Sequence, residues 1–194
     1  MPKKAVITYG RFNPPTVGHE VMFKKILNTA RANGADAFII VSHSKNTKKN
    51  PLSPREKMNI IRYMVPPNVR ILQTTKAEYG PQFIINRLRK EGNYNEFKFV
   101  VGGNRYNKGD FRWLEKTGYI KLVKGGNRVN TGKGPDAMTA TKSRKRAQAG
   151  QSAKFRQSMS SKVPSPKVRS TEKRILSRMG ARSRSPTASP PSSK

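Results

Sequence analysis

Short apolar runs alternate with longer amphipathic segments over the first 150 residues of the chain. Runs of four or five mainly apolar residues predict buried strands, and the segments between them predict helices. Regular alternation of the two element types is typical of an α/β domain with a mainly parallel sheet. The predicted strands are residues 5–9, 37–41, 69–72, 97–101 and 119–123.

Local signals mark the ends of the intervening helices. Ser53 and Glu56 have the spacing of a capping box with Pro54 at the first helical position, and this predicts a helix start. The other predicted helices are residues 18–33, 81–91 and 110–117, each followed by a glycine, and a last one that Thr139 or Thr141 caps and Gly150 ends. Five strands with right-handed crossovers predict an α/β fold, a Rossmann-like doubly wound five-stranded parallel sheet.

Three polar segments directly follow predicted strands. They are residues 10–19, residues 42–44 and residues 102–105. In doubly wound sheets, ligands bind beyond the carboxyl ends of the strands at the point where the strand order reverses. We therefore expect a ligand site at this edge of the sheet.

The segment from Gly10 to Glu20 has the composition of a phosphate-binding loop that opens a helix. Gly10 allows a sharp turn and a close approach of a ligand to the backbone. Gly18 removes side-chain bulk at the helix N-terminus, where backbone N–H groups and the positive end of the helix dipole attract anions. His19 lies in the same turn and can donate a hydrogen bond to a phosphate oxygen. The sequence thus predicts a nucleotide site.

The charge of the chain is strongly positive and extends to its C-terminal part. The sequence has 41 Lys and Arg against 10 Asp and Glu, a net charge of +31. Residues 151–194 are rich in Ser, Pro, Lys and Arg, and this predicts a basic, largely disordered tail after a domain of residues 1–150. Residues 170–179 have the potential to become helical on a polyanion. The charge predicts RNA or DNA as a partner of the tail, and a solubilising or export-related tail without a specific partner is the alternative interpretation.

Composition and patterning also exclude several classes. There is no cysteine and there are two histidines, so we expect neither a zinc site nor another resident metal. The N-terminus leads directly into the first predicted strand, and no apolar run approaches the roughly 18 residues of a membrane span. We expect a soluble protein without a membrane partner that is not secreted, and that is cytoplasmic or packaged in a virion.

The string from Gly10 to His19 resembles the signature motif of the HIGH-type nucleotidyltransferase superfamily. That superfamily includes nicotinamide-mononucleotide adenylyltransferases and cytidylyltransferases. Together with residues 49–53, 101–105 and 138–144, the string is more closely similar to stand-alone members from large DNA phages and viruses. The resemblance spans residues 4 to about 150.

The resemblance implies transfer of AMP or CMP from ATP or CTP, with Mg²⁺, to a phosphorylated or hydroxylated acceptor, with release of pyrophosphate. It assigns catalytic roles to His19, Thr16 and Arg144. The nucleotide-binding positions that it implies are Gly10, Arg11, Phe12, Asn13, Gly18, Gly102, Asn104, Arg105, Thr139 and Thr141. Lys48 and Lys49 could reach the acceptor or the triphosphate, and a solvated charge run is the alternative interpretation of this pair.

Three positions depart from the pattern of the superfamily and leave a second function open. Thr16 stands where many members have His, Asn104 stands where many have Asp, and Ala140 replaces a common Ser. With the net charge, these departures favour the alternative of a catalytically retired fold. Such a protein would bind nucleic acid structurally in a virion or a ribonucleoprotein.

Overall fold

A computed structural model of the chain describes residues 2–46, 49–78, 80–125 and 138–180. A five-stranded parallel sheet forms the centre, in the order β3-β2-β1-β4-β5. The strands are β1 (Lys3–Gly10), β2 (Asp36–Val41), β3 (Arg70–Gln73), β4 (Tyr94–Val101) and β5 (Ile120–Lys124). The strand order reverses between β1 and β4, so the predicted Rossmann-like doubly wound sheet is confirmed.

Helices cover both faces of this sheet. They are α1 (Val17–Ala32), α2 (Pro54–Met64), α3 (Pro81–Gly92), α4 (Gly103–Asn107), a 3-10 helix (Arg112–Thr117), α5 (Ala140–Gln148), α6 (Ser152–Ser158) and α7 (Ser165–Met179). The short helix α4 was not predicted, because Gly and Asn have low helix propensity. Within the described ranges, none of the helices has the length and apolarity needed to cross a membrane.

Two of the predicted helix starts have the expected caps. At α2, Glu56 N donates to Ser53 Oγ (3.3 Å) and Ser53 N donates to Glu56 Oε2 (2.7 Å), which confirms the capping box. At α5, Lys142 N donates to Thr139 Oγ1 (3.1 Å), so Thr139 rather than Thr141 is the capping residue.

The core lies on both sides of the sheet. Val6 of β1 packs with Phe23 of α1 in one apolar cluster, whereas the next residue, Ile7, packs with Ile85 of α3 in the other. Successive side chains of a strand point to opposite faces, so a strand that is covered on both sides consists of apolar residues throughout. This is why the strands appear in the sequence as continuous apolar runs.

The expectation of a disordered tail is wrong for residues 152–179. Phe155 of α6, Ile175 of α7 and Val163 between these two helices are all fully buried, and they belong to the same apolar cluster as Phe23. The low apolar content of this segment predicted disorder, but its few apolar residues are spaced so that nearly all of them face the core. Residue 150 is therefore not the end of the packed unit, and residues 181–194 lie outside the described part of the chain.

Candidate active site

A cavity of about 1210 Å³ lies at the carboxyl ends of β1 and β4, where the strand order reverses. The predicted site residues that line it are Gly10, Arg11, Phe12, Asn13, His19, Lys49, Gly102, Asn104, Arg105, Thr139, Thr141 and Arg144. Thr16 and Gly18 do not line the cavity, and Lys48 lies outside the described residues. The structure thus brings together segments that are far apart in the sequence.

The imidazole of His19 is held in a defined orientation at this cavity. Thr16 N donates to His19 Nδ1 (3.0 Å), and Nδ1 must therefore be the unprotonated nitrogen of a neutral ring. The Phe12 ring and the imidazole pack in a T-shaped arrangement, with 5.1 Å between centroids and an interplanar angle of 86°. In this tautomer Nε2 carries the proton, and it has the donor character that a phosphate oxygen requires.

Thr16 does not line the cavity and is linked to it through His19. Its side chain is fully buried, with Oγ1 at 3.0 Å from His19 Nδ1 and 3.4 Å from the carbonyl oxygen of Met138. Thr16 is also the N-terminal capping residue of α1. The direct contact with phosphate implied by the resemblance does not fit this position, whereas the orientation of the imidazole does.

Gly10 makes room for a buried aromatic ring. A Cβ atom at Gly10 would lie 2.7 Å from the Phe12 ring, which is closer than carbon atoms can approach. Phe12 has a positive φ of 43° and packs between His19 and Phe23. We expected Gly10 to allow the approach of a ligand, but its lack of a side chain is needed by the ring that supports the imidazole.

Asn13 connects the loop after β1 to the loop that carries Lys49. Its Nδ2 donates to the carbonyl oxygen of Leu52 (2.8 Å), and Leu52 N donates to its Oδ1 (2.9 Å). The carbonyl oxygen of Asn13 accepts a hydrogen bond from Arg144 Nη1 (2.5 Å). The side chain of Asn13 is therefore used within the protein, and its side chain and carbonyl oxygen together fix the relative position of three cavity segments.

Arg144 and Arg11 give the cavity a concentrated positive charge. Arg144 Nη2 donates to Thr141 Oγ1 (3.2 Å) on the same helix. Burial lowers the pKa of Arg144 first of all, and the nearby charge of Arg11 lowers it further. No carboxylate side chain is found among the described residues that line the cavity. Two close arginines without an acidic partner are stabilised when an anion binds between them.

Lys57 is a buried cation beneath this cluster that we did not predict. Its Nζ donates to the carbonyl oxygens of Ser42 (2.6 Å) and Ser44 (3.2 Å), just after β2. Burial, and secondarily the charge of Arg11, lower its pKa to about 8. Residues 57, 60, 61 and 64 are the buried positions of α2, so the signal in the sequence was a lysine at the spacing of an apolar helix face.

The last described helix completes the wall of the cavity. Arg178 and Met179 of α7 line it beside Lys145 and Gln148 of α5. Sequence reasoning missed all four, because it placed α7 in the disordered tail and, although it predicted α5 as far as Gly150, assigned only the motif residues of that helix to the site. The basic side chains that line the cavity are Arg11, Lys49, Arg105, Arg144, Lys145 and Arg178.

The segment after β4 adds an arginine of fixed orientation, Arg105, to the rim of the cavity. Arg105 Nε donates to Asp110 Oδ2 (2.8 Å), and the guanidinium lies 4.6 Å above the centre of the Phe111 ring. Its neighbour Asn104 is half-buried and lines the cavity. Tyr9 lies on the same wall, and burial raises the pKa of its hydroxyl although Arg105 opposes the shift.

Two helix N-termini, those of α1 and α5, lie at this cavity through His19 and Thr139. Each supplies backbone N–H groups and the positive end of a helix dipole. Across the described ranges, no group of three or more His, Cys, Asp and Glu side chains is placed to hold a metal ion. The arrangement is suited to a bound polyanion.

Comparisons with known proteins give similarity of structure but not of sequence. No protein-family model and no curated protein matches the chain. Among solved structures, it is similar to nicotinic acid mononucleotide adenylyltransferase of Plasmodium falciparum complexed with NaAD, with a TM-score of 0.56 and 15% identity over 90% of this chain and 95% of that one. A Vibrio parahaemolyticus protein assigned as a nicotinate-nucleotide adenylyltransferase gives a TM-score of 0.55 and 16% identity over 90% and 99% of the two chains. At these identities the likeness shows the Rossmann-like α/β fold.

Proposed function

We propose that the chain is a nucleotidyltransferase that transfers AMP from ATP to a phosphorylated small-molecule acceptor and releases pyrophosphate. The observation that carries this proposal is the basic cavity at the reversal of strand order, in which His19, Arg144 and two helix N-termini face the same space. The similar Plasmodium falciparum enzyme has been captured with NaAD and with APC, and this favours adenylyl over cytidylyl transfer. The likeness of the motif string to phage and virus enzymes stays a prediction.

The reaction needs positioning and charge neutralisation more than covalent help from the protein. An oxygen of the acceptor phosphate attacks the α-phosphorus of ATP in line, and a new P–O bond forms as the bond to the β-phosphate bridging oxygen breaks. His19 Nε2–H donates to a non-bridging α-phosphate oxygen, where negative charge develops. Arg144, in the middle of α5, holds the β- and γ-phosphates and stabilises the departing pyrophosphate.

The other cavity residues divide between the nucleotide and the acceptor. Gly102, Asn104 and Arg105, beyond β4, form the wall for the nucleoside, and Thr139 and Thr141 supply hydroxyl groups beside the phosphates. Lys49 lies on the loop that Asn13 fixes, and it is the cation for the acceptor phosphate. Thr16 positions the His19 imidazole.

Mg²⁺ enters this scheme as part of the substrate. The described cavity lining offers hydroxyl, amide and cationic groups but no carboxylate oxygen, and hard divalent cations prefer carboxylate ligands. The oxygens of the triphosphate themselves are therefore the ligands that would hold the ion. Arg144 and Arg11 then neutralise the charge that remains.

Pyrophosphate release from ATP or CTP with Mg²⁺ tests the proposal, with nicotinic acid mononucleotide among a panel of phosphorylated acceptors. We expect turnover with ATP, and its loss in His19→Ala and Arg144→Ala. His43→Ala and Arg31→Ala are the matched controls, because neither residue lines the cavity. Binding is measured in a separate assay, as the change in melting temperature that ATP, CTP, GTP or UTP produces.

The opposite result would favour the retired alternative. If no acceptor supports pyrophosphate release and no triphosphate raises the melting temperature, the enzyme proposal fails. A structural role in a virion or a ribonucleoprotein would then remain. If triphosphates bind without turnover on a broad panel, the site is a nucleotide-binding relic.

A further inference from the structure

The helices α5, α6 and α7 are held side by side by hydrogen bonds between them. Arg146 Nη1 of α5 donates to the carbonyl oxygen of Lys154 in α6 (2.8 Å). Ser152 Oγ of α6 donates to Glu172 Oε1 of α7 (2.8 Å). Phe155 and Ile175 anchor α6 and α7 in the core. Side chains on the outside of this layer are thus presented from a fixed scaffold.

The layer has an unusual excess of positive charge. Its basic residues in the range 138–180 are Lys142, Arg144, Lys145, Arg146, Lys154, Arg156, Lys162, Lys167, Arg169, Lys173, Arg174 and Arg178. The acidic residue of this range is Glu172, which is only 9% exposed and already bonded to Ser152. The positive side chains of such a layer repel one another, and a bound external anion reduces that repulsion.

Carboxylates from elsewhere in the protein pair with some of these basic residues but not with others. Glu56 pairs with Arg174 and Arg178, and Glu20 pairs with Lys162. No ion pair to a carboxylate is found, within the described ranges, for three of the other cations, one on each of the three helices. These are Arg146, Lys154 and Lys173, which we name the basic patch.

We propose that the basic patch binds the phosphodiester backbone of a nucleic acid. The bonds from Arg146 to Lys154 and from Ser152 to Glu172, the neighbour of Lys173, place the three cations on adjoining helices. Cations that meet successive phosphates release condensed counterions, which gives sequence-independent and salt-sensitive binding. The proposal goes beyond nucleotidyl transfer and needs none of the residues assigned to it.

The described helices α5, α6 and α7 present no large exposed apolar residue, and this argues against a membrane surface or base stacking as the interaction. The large apolar residues that are exposed in the described chain are Tyr63, Phe83 and Trp113, and none lies on α5, α6 or α7. A helix that lies in a lipid interface buries an apolar face, and single-strand readers stack bases on aromatic rings. The basic patch has neither feature, so backbone phosphate contacts are the chemistry that it supports.

Fluorescence anisotropy with a labelled mixed-sequence oligonucleotide, over a series of salt concentrations and without ATP, tests the proposal. The variant is Lys154→Glu with Lys173→Glu. Lys90→Glu with Lys116→Glu is the matched control, because it changes the net charge equally on the opposite side of the sheet. We expect a loss of affinity of about tenfold or more for the patch variant, and a decrease of about 2 in the slope of log K against log salt. The control keeps the slope of the unaltered protein.

Three results would overturn the proposal. They are an equal loss of affinity in the control variant, displacement of the oligonucleotide by phosphatidylserine vesicles, and binding that does not weaken as the salt concentration rises. Folding is checked by the melting temperature and its shift with ATP, and Lys154→Gln with Lys173→Gln replaces the variant if charge reversal lowers the melting temperature. Because the assay needs no turnover, failure of the proposed enzyme activity leaves this test intact.

Discussion

Arg178 and Glu56 lie 122 residues apart in the chain and are joined by two hydrogen bonds, from Nη1 to Oε2 (2.8 Å) and from Nη2 to Oε1 (3.4 Å). Glu56 Oε2 also accepts the capping hydrogen bond from Ser53 N at the start of α2. Arg178 donates in addition to the carbonyl oxygen of Pro51. The last described helix is therefore tied to the loop that carries Lys49 into the cavity.

Replacement of Arg178 should affect both stability and acceptor binding. In Arg178→Gln we expect the free energy of unfolding to fall by about 1–3 kcal/mol, because charged hydrogen bonds at a half-buried position are lost. The loop with Lys49 loses a support, so KM for the acceptor should rise more than kcat falls. Arg169→Gln on the exposed side of α7 is the matched control and should change neither quantity. Equal values for the two variants would contradict this role of Arg178.

Stability should decrease in acid because of Glu56. Burial acts to raise its pKa, but hydrogen bonds from Ser53 N and Arg178 outweigh that effect, and the pKa lies below its ordinary value of 4.5. A lowered pKa contributes stability that is present above the unfolded value and is lost as pH falls through the folded one. Denaturant titrations below pH 4.5 should show a shallower loss of stability in Glu56→Gln than in the unaltered protein. Glu96→Gln, in an exposed pair with Lys4, is the matched control.

The fold and about half of the site could be predicted because they depend on local patterns. Apolar runs define the strands, and Gly18 and His19 define a helix start at the carboxyl end of β1. The Asn13 to Leu52 connection and the position of Arg178 depend on contacts over 39 and 127 residues, and no local pattern encodes them. The fold of residues 152–179 was missed because composition averages over positions, whereas packing depends on which positions are apolar.

Gly10→Ala should destabilise the protein through Phe12. The added methyl group would meet the ring at 2.7 Å, and the ring cannot move away because His19 and Phe23 pack against it. Overpacking of this kind costs about 1–3 kcal/mol. Gly102→Ala is the control for stability, since no atom lies within 4 Å of its added Cβ, and its cost should stay within about 0.5 kcal/mol. Similar melting temperatures for the two variants would contradict the packing argument.

A chain that ends at Gly150 should not fold cooperatively. It lacks Phe155, Val163 and Ile175, which are fully buried in the core, and the surfaces that they cover would be exposed. A chain that ends at Gly180 keeps all described elements and should melt as the full chain does. Within the full chain, Phe155→Ala should lower the free energy of unfolding by about 3–5 kcal/mol. Cooperative melting of the shorter chain near the temperature of the full chain would restore the predicted boundary at residue 150.

Nucleotide binding near pH 8 should be coupled to proton uptake by Lys57. The pKa of Lys57 is about 8, against an ordinary value of 10.5, so at pH 8 this side chain is neutral in about half of the molecules. A triphosphate at Arg11 and Arg144 offsets the repulsion from Arg11, so it raises the pKa of Lys57 and the complex binds a fraction of a proton more than the free protein.

The phosphate oxygens titrate well below pH 8 and do not contribute to that uptake. Calorimetric titrations of ATP at pH 8, in two buffers of different ionisation enthalpy, measure it directly. Lys57→Arg keeps the charge without titrating in this range and should bind ATP with no net proton uptake. The same linkage makes ATP affinity fall as pH rises through 8 in the unaltered protein, because the buried cation is lost from the field of the site. Equal proton uptake in both proteins would mean that another group is responsible, and the buried lysine would then serve only to hold the carbonyl oxygens of Ser42 and Ser44.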